Sequence, residues 1–380
     1  MLDGHVCIAN ELRKPLTIMI IGDANSLWVK LVIEYTHIPY GDHVTILTYT
    51  ENILFKDYYK KHDIKVKTIR ILRTAKGPLN LLYNVNLVLQ PVDLIIVHFV
   101  TKNAALLACI GSIFKRKIIL IFWGSDILRA KRSIIIDECC KKSSQIQIST
   151  KKMKEKFHEM YGKAYDDKIK MLNFGSKAID LLGKNHNSDI IKNKYKISNN
   201  KIIIAIGHNK STSQQHKKIL NEIEKLPCVV KENIHIILRL TYGNADGNYV
   251  REIKRCVDNI GCTSTFFESF LSDEQSAEIT FITDVFVHAQ TTDARSAAMC
   301  EHLYAGALVI VPQWLDYDIA DKVFFLKYKD FNELGIILKD NIVKKSSNKF
   351  KEQRLANKKV IYELLSWKFQ APKWRELYYL

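Results

Sequence analysis

The sequence lacks several things, and each absence narrows what it encodes. Its 8 cysteines show no metal-binding spacing: Cys139 and Cys140 are adjacent and the others are scattered. Neither a zinc site nor a disulfide framework is expected, and the thiols read as small apolar filler in a reducing compartment. No apolar run reaches the ~18 residues that a membrane span needs. The nearest candidates, 104–114 and 117–123, are short and border basic residues. The start, MLDGHVCIANELRKPL, has no basic segment followed by an apolar one, so no secretory leader is expected. With only 7 prolines and no biased tract, disorder is not expected either. No Gly-x-Gly-x-x-Gly follows the first apolar strand and no Gly-x-x-x-x-Gly-Lys-Ser/Thr exists, which argues against a dinucleotide oxidoreductase and a P-loop NTPase. A nucleophile elbow is also missing.

What is present is a chain of 380 residues, enough for two domains. Its net charge of +17 is unevenly placed. Residues 51–200 carry 29 Lys and Arg against 13 Asp and Glu, whereas residues 201–350 carry 18 against 19. The excess belongs to the first half. Anionic lipid headgroups, a lipid diphosphate or a nucleic acid would each attract it, and a well-solvated surface would also account for it. No stretch interleaves aromatics with the charge as a nucleic-acid platform does, so nucleic acid is not expected as a partner.

Apolar runs alternate with helical patterns along the chain. Strands are expected at 15–22 (PLTIMIIG), 43–49, 65–71, 93–99, 117–123 and 145–149. A polar, Lys- and Asn-rich stretch at 183–200 reads as a linker. The pattern then restarts with strands at 201–207 (KIIIAIG), 234–240, 264–267, 284–288 and 307–311. Strands spaced by helices imply an α/β fold with two doubly wound parallel sheets. Ligands on such sheets sit at the carboxyl ends of the strands. In the first half that rim carries Gly22, Asn25, His98 and Asp126, with Asn25 and Ser26 also placed to cap a helix. His98 reads as a candidate base or a satisfied structural imidazole. Asp126 reads as a candidate general base or a helix cap. In the second half the rim carries His208, Asn209, Lys210, Ser211 and Ser213 in one loop, whose amides and Lys210 suit a diphosphate.

The most specific stretch is Asp293 to Gly306. It follows a buried strand and opens a helix whose first amides, at Arg295, Ser296 and Ala297, offer a positive dipole end to a diphosphate. Glu301 lies about two turns further on and can accept two hydroxyls, as a ribose presents. The plain alternative is an amphipathic helix with an incidental Asp and Glu.

This stretch resembles the E-x7-E region of GT-B glycosyltransferases of family four, with Asp293 in place of the first Glu. The strand-exit segments 93–98 and 122–127 and the tail with Ser366, Trp367, Trp374 and Tyr378 are similar to that family as well. The loop 206–216 and Leu240-Thr-Tyr242-Gly243 are similar instead to bacterial Fuc4NAc transferases that act on lipid-linked sugars. The resemblance spans most of the chain. It implies a GT-B architecture of two Rossmann-like domains facing across a cleft: 1–180 for the acceptor, 181–360 for the donor, and 361–380 as a helix crossing back to the first domain. It also implies transfer of a sugar from a nucleoside-diphosphate sugar to a glycan or lipid-linked acceptor in bacterial surface polysaccharide or glycoconjugate synthesis. Asp293 would then sit near the sugar hydroxyls, Glu301 on the ribose, and Tyr242 with the 208–213 loop at the donor. No Asp-x-Asp occupies a site-like position, so no metal and no cofactor are expected. Family four retains configuration. The second family inverts it and would require His98 or Asp126 as base. A nucleotide-sugar epimerase and a non-catalytic membrane or nucleic-acid binder are the rival readings. A cytoplasmic protein, resting peripherally on the inner face of an anionic membrane, is expected.

Overall fold

The computed structural model describes residues 14–70, 77–114, 116–184, 186–293, 295–342 and 350–379. The chain forms two compact units, residues 1–175 with 370–380, and residues 176–369.

The first unit holds a seven-stranded, fully parallel sheet. Its strands are β1 (Thr17–Ile21), β2 (His43–Thr48), β3 (Lys65–Thr68), β4 (Leu94–His98), β5 (Lys117–Ile121), β6 (Gln145–Ile148) and β7 (Ile169–Met171), in the order β3-β2-β1-β4-β5-β6-β7. Helices cover both faces, so central strands read as unbroken apolar runs: every residue of β4 (LIIVH) is buried. Strands expected at 15–22, 43–49, 93–99, 117–123 and 145–149 are all present within a residue or two. The third ends at Thr68, and Ile71 of that expectation lies outside the described residues.

The second unit holds a six-stranded parallel sheet of β8 (Ile202–Ile206), β9 (Ile234–Arg239), β10 (Thr263–Phe267), β11 (Val285–Val287), β12 (Leu308–Pro312) and β13 (Leu326–Tyr328), in the order β10-β9-β8-β11-β12-β13. One core lies on each face of it, one built around Ile203, Phe286 and Leu303, the other around Ile204, Leu238 and Ile310. The stretch 183–200 is not the open linker its polar composition suggests. Asn187 caps a helix, Ser188–Lys194, that buries Ile191 and, just beyond it, Ile197. A C-terminal helix, Trp367–Leu377, carries the chain back to the first unit from Gln370 onward. Within that unit Arg375 pairs with the buried Asp42, and the Trp374 indole donates to the Asn173 carbonyl (2.7 Å).

Both sheets reverse strand order once, between β1 and β4 and between β8 and β11. The loops leaving those neighbouring strands must diverge, which opens a crevice at each switch point.

Candidate functional site

The β8–β11 switch point gathers most of the second-unit candidates. Gly207 leaves β8 with φ +60, and a Cβ there would stand 2.9 Å from His216 Nε2. Only glycine makes this turn without a clash. The following loop is laced to both neighbours. Asn209 Oδ1 accepts the Ser211 amide (2.8 Å), and the Lys210 amide donates to the Tyr242 carbonyl (2.7 Å) after β9. The Thr291 amide donates to the Ser213 carbonyl (3.0 Å), and the Gln215 side chain to the Ala289 carbonyl (2.7 Å) after β11. The Lys210 ammonium has no partner among the described residues.

Imidazoles cluster at this switch point. His208 stacks on His288 with ring centroids 6.0 Å apart. His288 Nε2 lies 3.6 Å from Asp293 Oδ2, which also accepts the Tyr317 hydroxyl (3.0 Å). Burial first, and the neighbouring His288 second, hold the His208 pKa down at about 3, so His208 is neutral at pH 7. Burial also keeps His302, stacked on Phe286 at 4.0 Å, well below the usual imidazole range. Asp293 is thus held by the Tyr317 hydroxyl, with the His288 ring beside it.

Ser296 caps the helix Ala297–Ala305 by accepting the Met299 amide (3.2 Å), leaving the Ala297 and Ala298 amides at the helix start. Arg295 does not point a spare guanidinium at this spot. It makes a bidentate pair with Asp318 (2.6 and 2.7 Å) and acts as a brace for the loop. Glu301 accepts the Ser176 hydroxyl (2.8 Å), and burial raises its pKa against the opposing pull of Ser176 and Arg239.

Arg239 is the residue that the sequence reading missed. It ends β9, whose only other polar residue is His235, is 7% exposed, and donates to Ser276 Oγ (3.2 Å) and Thr280 Oγ1 (2.7 Å). Its Nε has no partner, and no carboxylate pairs with it within 4.0 Å among the described residues. A buried guanidinium without a counterion is a costly arrangement unless an anion visits. The signal was available: one charged residue at the carboxyl end of a buried run. His288, directly after β11, is likewise a lone polar residue following a buried run.

The first-unit candidates meet at the β1–β4 switch point. Gly22 leaves β1, and a Cβ on it would lie 3.1 Å from His98 Cβ, so the backbones approach closely there. His98 is 1% exposed and accepts the Trp123 indole N–H (3.4 Å) at Nδ1. Its Nε2 has no hydrogen-bond partner among the described residues, and burial pushes its pKa down to about 3. Asp126 lies in a short helix, Ser125–Leu128, and accepts the amides of Val100 (2.9 Å), Trp123 (2.9 Å) and Gly124 (3.0 Å). Those bonds make it the stitch between the β4 and β5 exit loops. Burial outweighs them and raises its pKa to about 6. Asn25 is likewise occupied: its amide group donates to the Asn52 carbonyl (2.7 Å) and accepts the Leu54 N–H (2.7 Å), while Ser26 caps the next helix. Beside them, at the carboxyl ends of β2 and β3, opens a cavity of about 680 Å³ lined by Asn52, Leu54, Lys56, Tyr59 and Thr68.

No protein-family model and no curated protein matches the sequence. Solved structures do resemble the fold. HepE of Anabaena in complex with UDP and glucose superposes with a TM-score of 0.69 at 15% identity, over 95% of this chain and 98% of that one. A glycosyltransferase from Rickettsia africae ESF-5 gives 0.75 at 15% identity, over 96% and 98%. WaaG, a glycosyltransferase involved in lipopolysaccharide biosynthesis, gives 0.62 at 12% identity, over 95% and 99%. At such identities the likeness is one of architecture: the chain has the GT-B fold, with a Rossmann-like sheet in each of its two units.

Proposed function

We propose that the chain is a glycosyltransferase that takes its sugar from a nucleoside-diphosphate sugar bound in the β8–β11 crevice. One observation carries this reading. The loops at one switch point of the second unit carry the Lys210 ammonium, which has no partner among the described residues, the amides at the start of the helix Ala297–Ala305, neutral His208 and Asp293. Cation, amides and dipole stabilise charge that builds on a leaving diphosphate. Asp293 receives sugar hydroxyls and Glu301 the ribose. Because HepE, similar in fold, is seen in complex with UDP and glucose, UDP is the first nucleotide to test.

Retention of configuration is favoured over inversion. The two candidate bases of the first unit are poorly placed for proton abstraction, since Asp126 is engaged by three amides and His98 is sealed from solvent. The leaving phosphate then takes the acceptor proton. The acceptor is a glycan or lipid-linked saccharide of a bacterial surface polysaccharide or glycoconjugate, for which the cavity beside β2 and β3 has a suitable volume. Among the described residues no helix is long and apolar enough to cross a membrane. Contact with a lipid-linked acceptor is therefore proposed as peripheral, at the inner face of the membrane.

A thermal-shift panel of UDP, GDP, dTDP and CMP tests the class and names the base. A specific ligand at 100 times its Kd adds about 2.7 kcal/mol. Stabilisation by one nucleoside diphosphate, lost in Glu301→Ala, is expected. If none of the four moves the transition, the donor-site reading is wrong. The anomeric configuration of the product decides retention.

A further inference from the structure

A buried thiol is ordinarily small apolar filler. Cys300 is the plain case: it is sealed in the second unit, and burial pushes its pKa up to about 12. Such a thiol is inert at neutral pH. The first unit holds a different arrangement. The helix Lys102–Gly111 packs against the helix Ile134–Lys142, and each brings a cysteine to the contact, Cys109 from one and Cys139 from the other. The Cys139 thiol donates a hydrogen bond to the Cys109 sulfur. Cys109 is half-buried, whereas Cys139 and its neighbour Cys140 are sealed in the core of this unit.

The surroundings divide the roles. The bond from Cys139 first, with the Lys142 ammonium behind it, holds the Cys109 thiol below its usual range against burial and the Glu138 carboxylate. The same bond, then burial, pushes the Cys139 thiol upward. Cys140 is pushed up to about 12, chiefly by burial. Cys109 is therefore the readiest thiolate of the three and the one that solvent reaches. Both sulfur-bearing turns are pinned. The Ser112 hydroxyl donates to the Cys109 carbonyl (2.7 Å), the Ser143 hydroxyl to the Cys140 carbonyl (2.8 Å), and Lys168 Nζ to the Lys141 carbonyl (2.7 Å). A metal would ask for further ligands, and among the described residues no His, Cys, Asp or Glu completes such a set. An accessible thiolate with a second thiol in contact is instead the arrangement of an oxidation-prone pair.

We propose that Cys109 and Cys139 are an oxidation site for a small peroxide and close to a disulfide. The Cys109 thiolate attacks one oxygen of hydrogen peroxide. An S–O bond forms, the O–O bond breaks, and the leaving hydroxide takes a proton to become water. The Cys139 sulfur then attacks the Cys109 sulfur. The S–S bond forms, the S–O bond breaks, and a second water leaves with the Cys139 proton. Two thiols are oxidised and one peroxide is reduced. The new bond ties a helix reached from β4 to one reached from β5, the two strands whose exit loops Asp126 already stitches together. This inference does not rest on the sugar-transfer reading, since it concerns only the thiols of one helix pair.

The test exposes the full, reduced chain to hydrogen peroxide, blocks remaining thiols with N-ethylmaleimide and maps peptides without reduction. A link within one chain from the Cys109 peptide to the Cys139-Cys140 peptide is expected, and dithiothreitol should reverse it. It should form severalfold faster than the exposed Cys228 loses its thiol. Cys140→Ala should keep the link. Cys139→Ala should lose it and leave Cys109 as a sulfenic acid that dimedone traps. Circular dichroism reports whether the variants fold, and the comparison with Cys228 in the parent needs no variant. Three results would each overturn the proposal: Cys228 consumed before Cys109, a link that survives in Cys139→Ala, or a link that joins two chains.

Discussion

Replacing Gly243 with alanine separates the donor loop from the rest of the second unit. Gly243 has φ +124, and a Cβ built on it would stand 2.6 Å from the Ser211 amide nitrogen and 3.1 Å from the Lys210 carbonyl carbon. Those contacts are to backbone, so the 210–211 segment must move. Gly261 has φ +76 but nothing within 4 Å of its would-be Cβ. Both variants incur backbone strain, on the order of 1–3 kcal/mol. Gly243→Ala adds the collision and loosens the bond from the Lys210 amide to the Tyr242 carbonyl (2.7 Å), a further ~1 kcal/mol. For a unit of this size each kcal/mol corresponds to roughly 2–4 °C in Tm. Gly243→Ala should therefore melt a few degrees below Gly261→Ala. More telling is the ligand response, because the displaced segment carries Lys210 and Ser211. UDP should stabilise Gly261→Ala as it does the parent, and Gly243→Ala much less. Differential scanning fluorimetry with and without UDP measures both. Equal ligand shifts in the two variants would refute the assignment of this loop to the donor.

Three further outcomes follow. Lys210→Ala removes a cation that holds no partner among the described residues, so apo stability should stay within about 0.5 kcal/mol while UDP affinity drops severalfold; a stability loss without an affinity loss would contradict the role. Asp126 has its folded pKa raised to about 6, above the unfolded value, so its contribution is present at low pH and is lost as pH rises through 6. The parent should accordingly lose ground to Asp126→Asn between about pH 4 and 6, by at most ~1.4 kcal/mol per pH unit, in urea titrations; a constant difference would refute the burial argument. His208 has its pKa lowered to about 3, so stability is present above 6.5 and is lost as pH falls toward 3. In His208→Asn that acid slope should be shallower by up to one proton, and an unchanged slope would mean that the imidazole is solvated.

The sheets were legible in the sequence because buried parallel strands are unbroken apolar runs. β4 and β9 are buried along their whole length and are plain to read. The edge strands β7 and β13 were not foreseen. Each is three residues long, includes a lysine, and pairs on one side only, so it leaves no apolar run to find. The helix Ser188–Lys194 was hidden for a related reason: two well-spaced isoleucines, Ile191 and Ile197, anchor a stretch that is otherwise polar. In the candidate site, residue types and loop positions were readable, but commitments were not. Arg295 and Asn25 look available in sequence, and folding spends one on Asp318 and the other on Asn52 and Leu54. Arg239 went unseen because a lone charge at the end of a strand reads as solvent-facing, whereas the fold buries it beside Ser276 and Thr280.

Hydrogen exchange of the full chain with and without saturating UDP tests the central claim most directly. Exchange should slow in the loop 207–215, at the strand exit 288–293 and at the start of the helix Ala297–Ala305. Slowed exchange confined to the first unit, or none anywhere at saturating nucleotide, would contradict it.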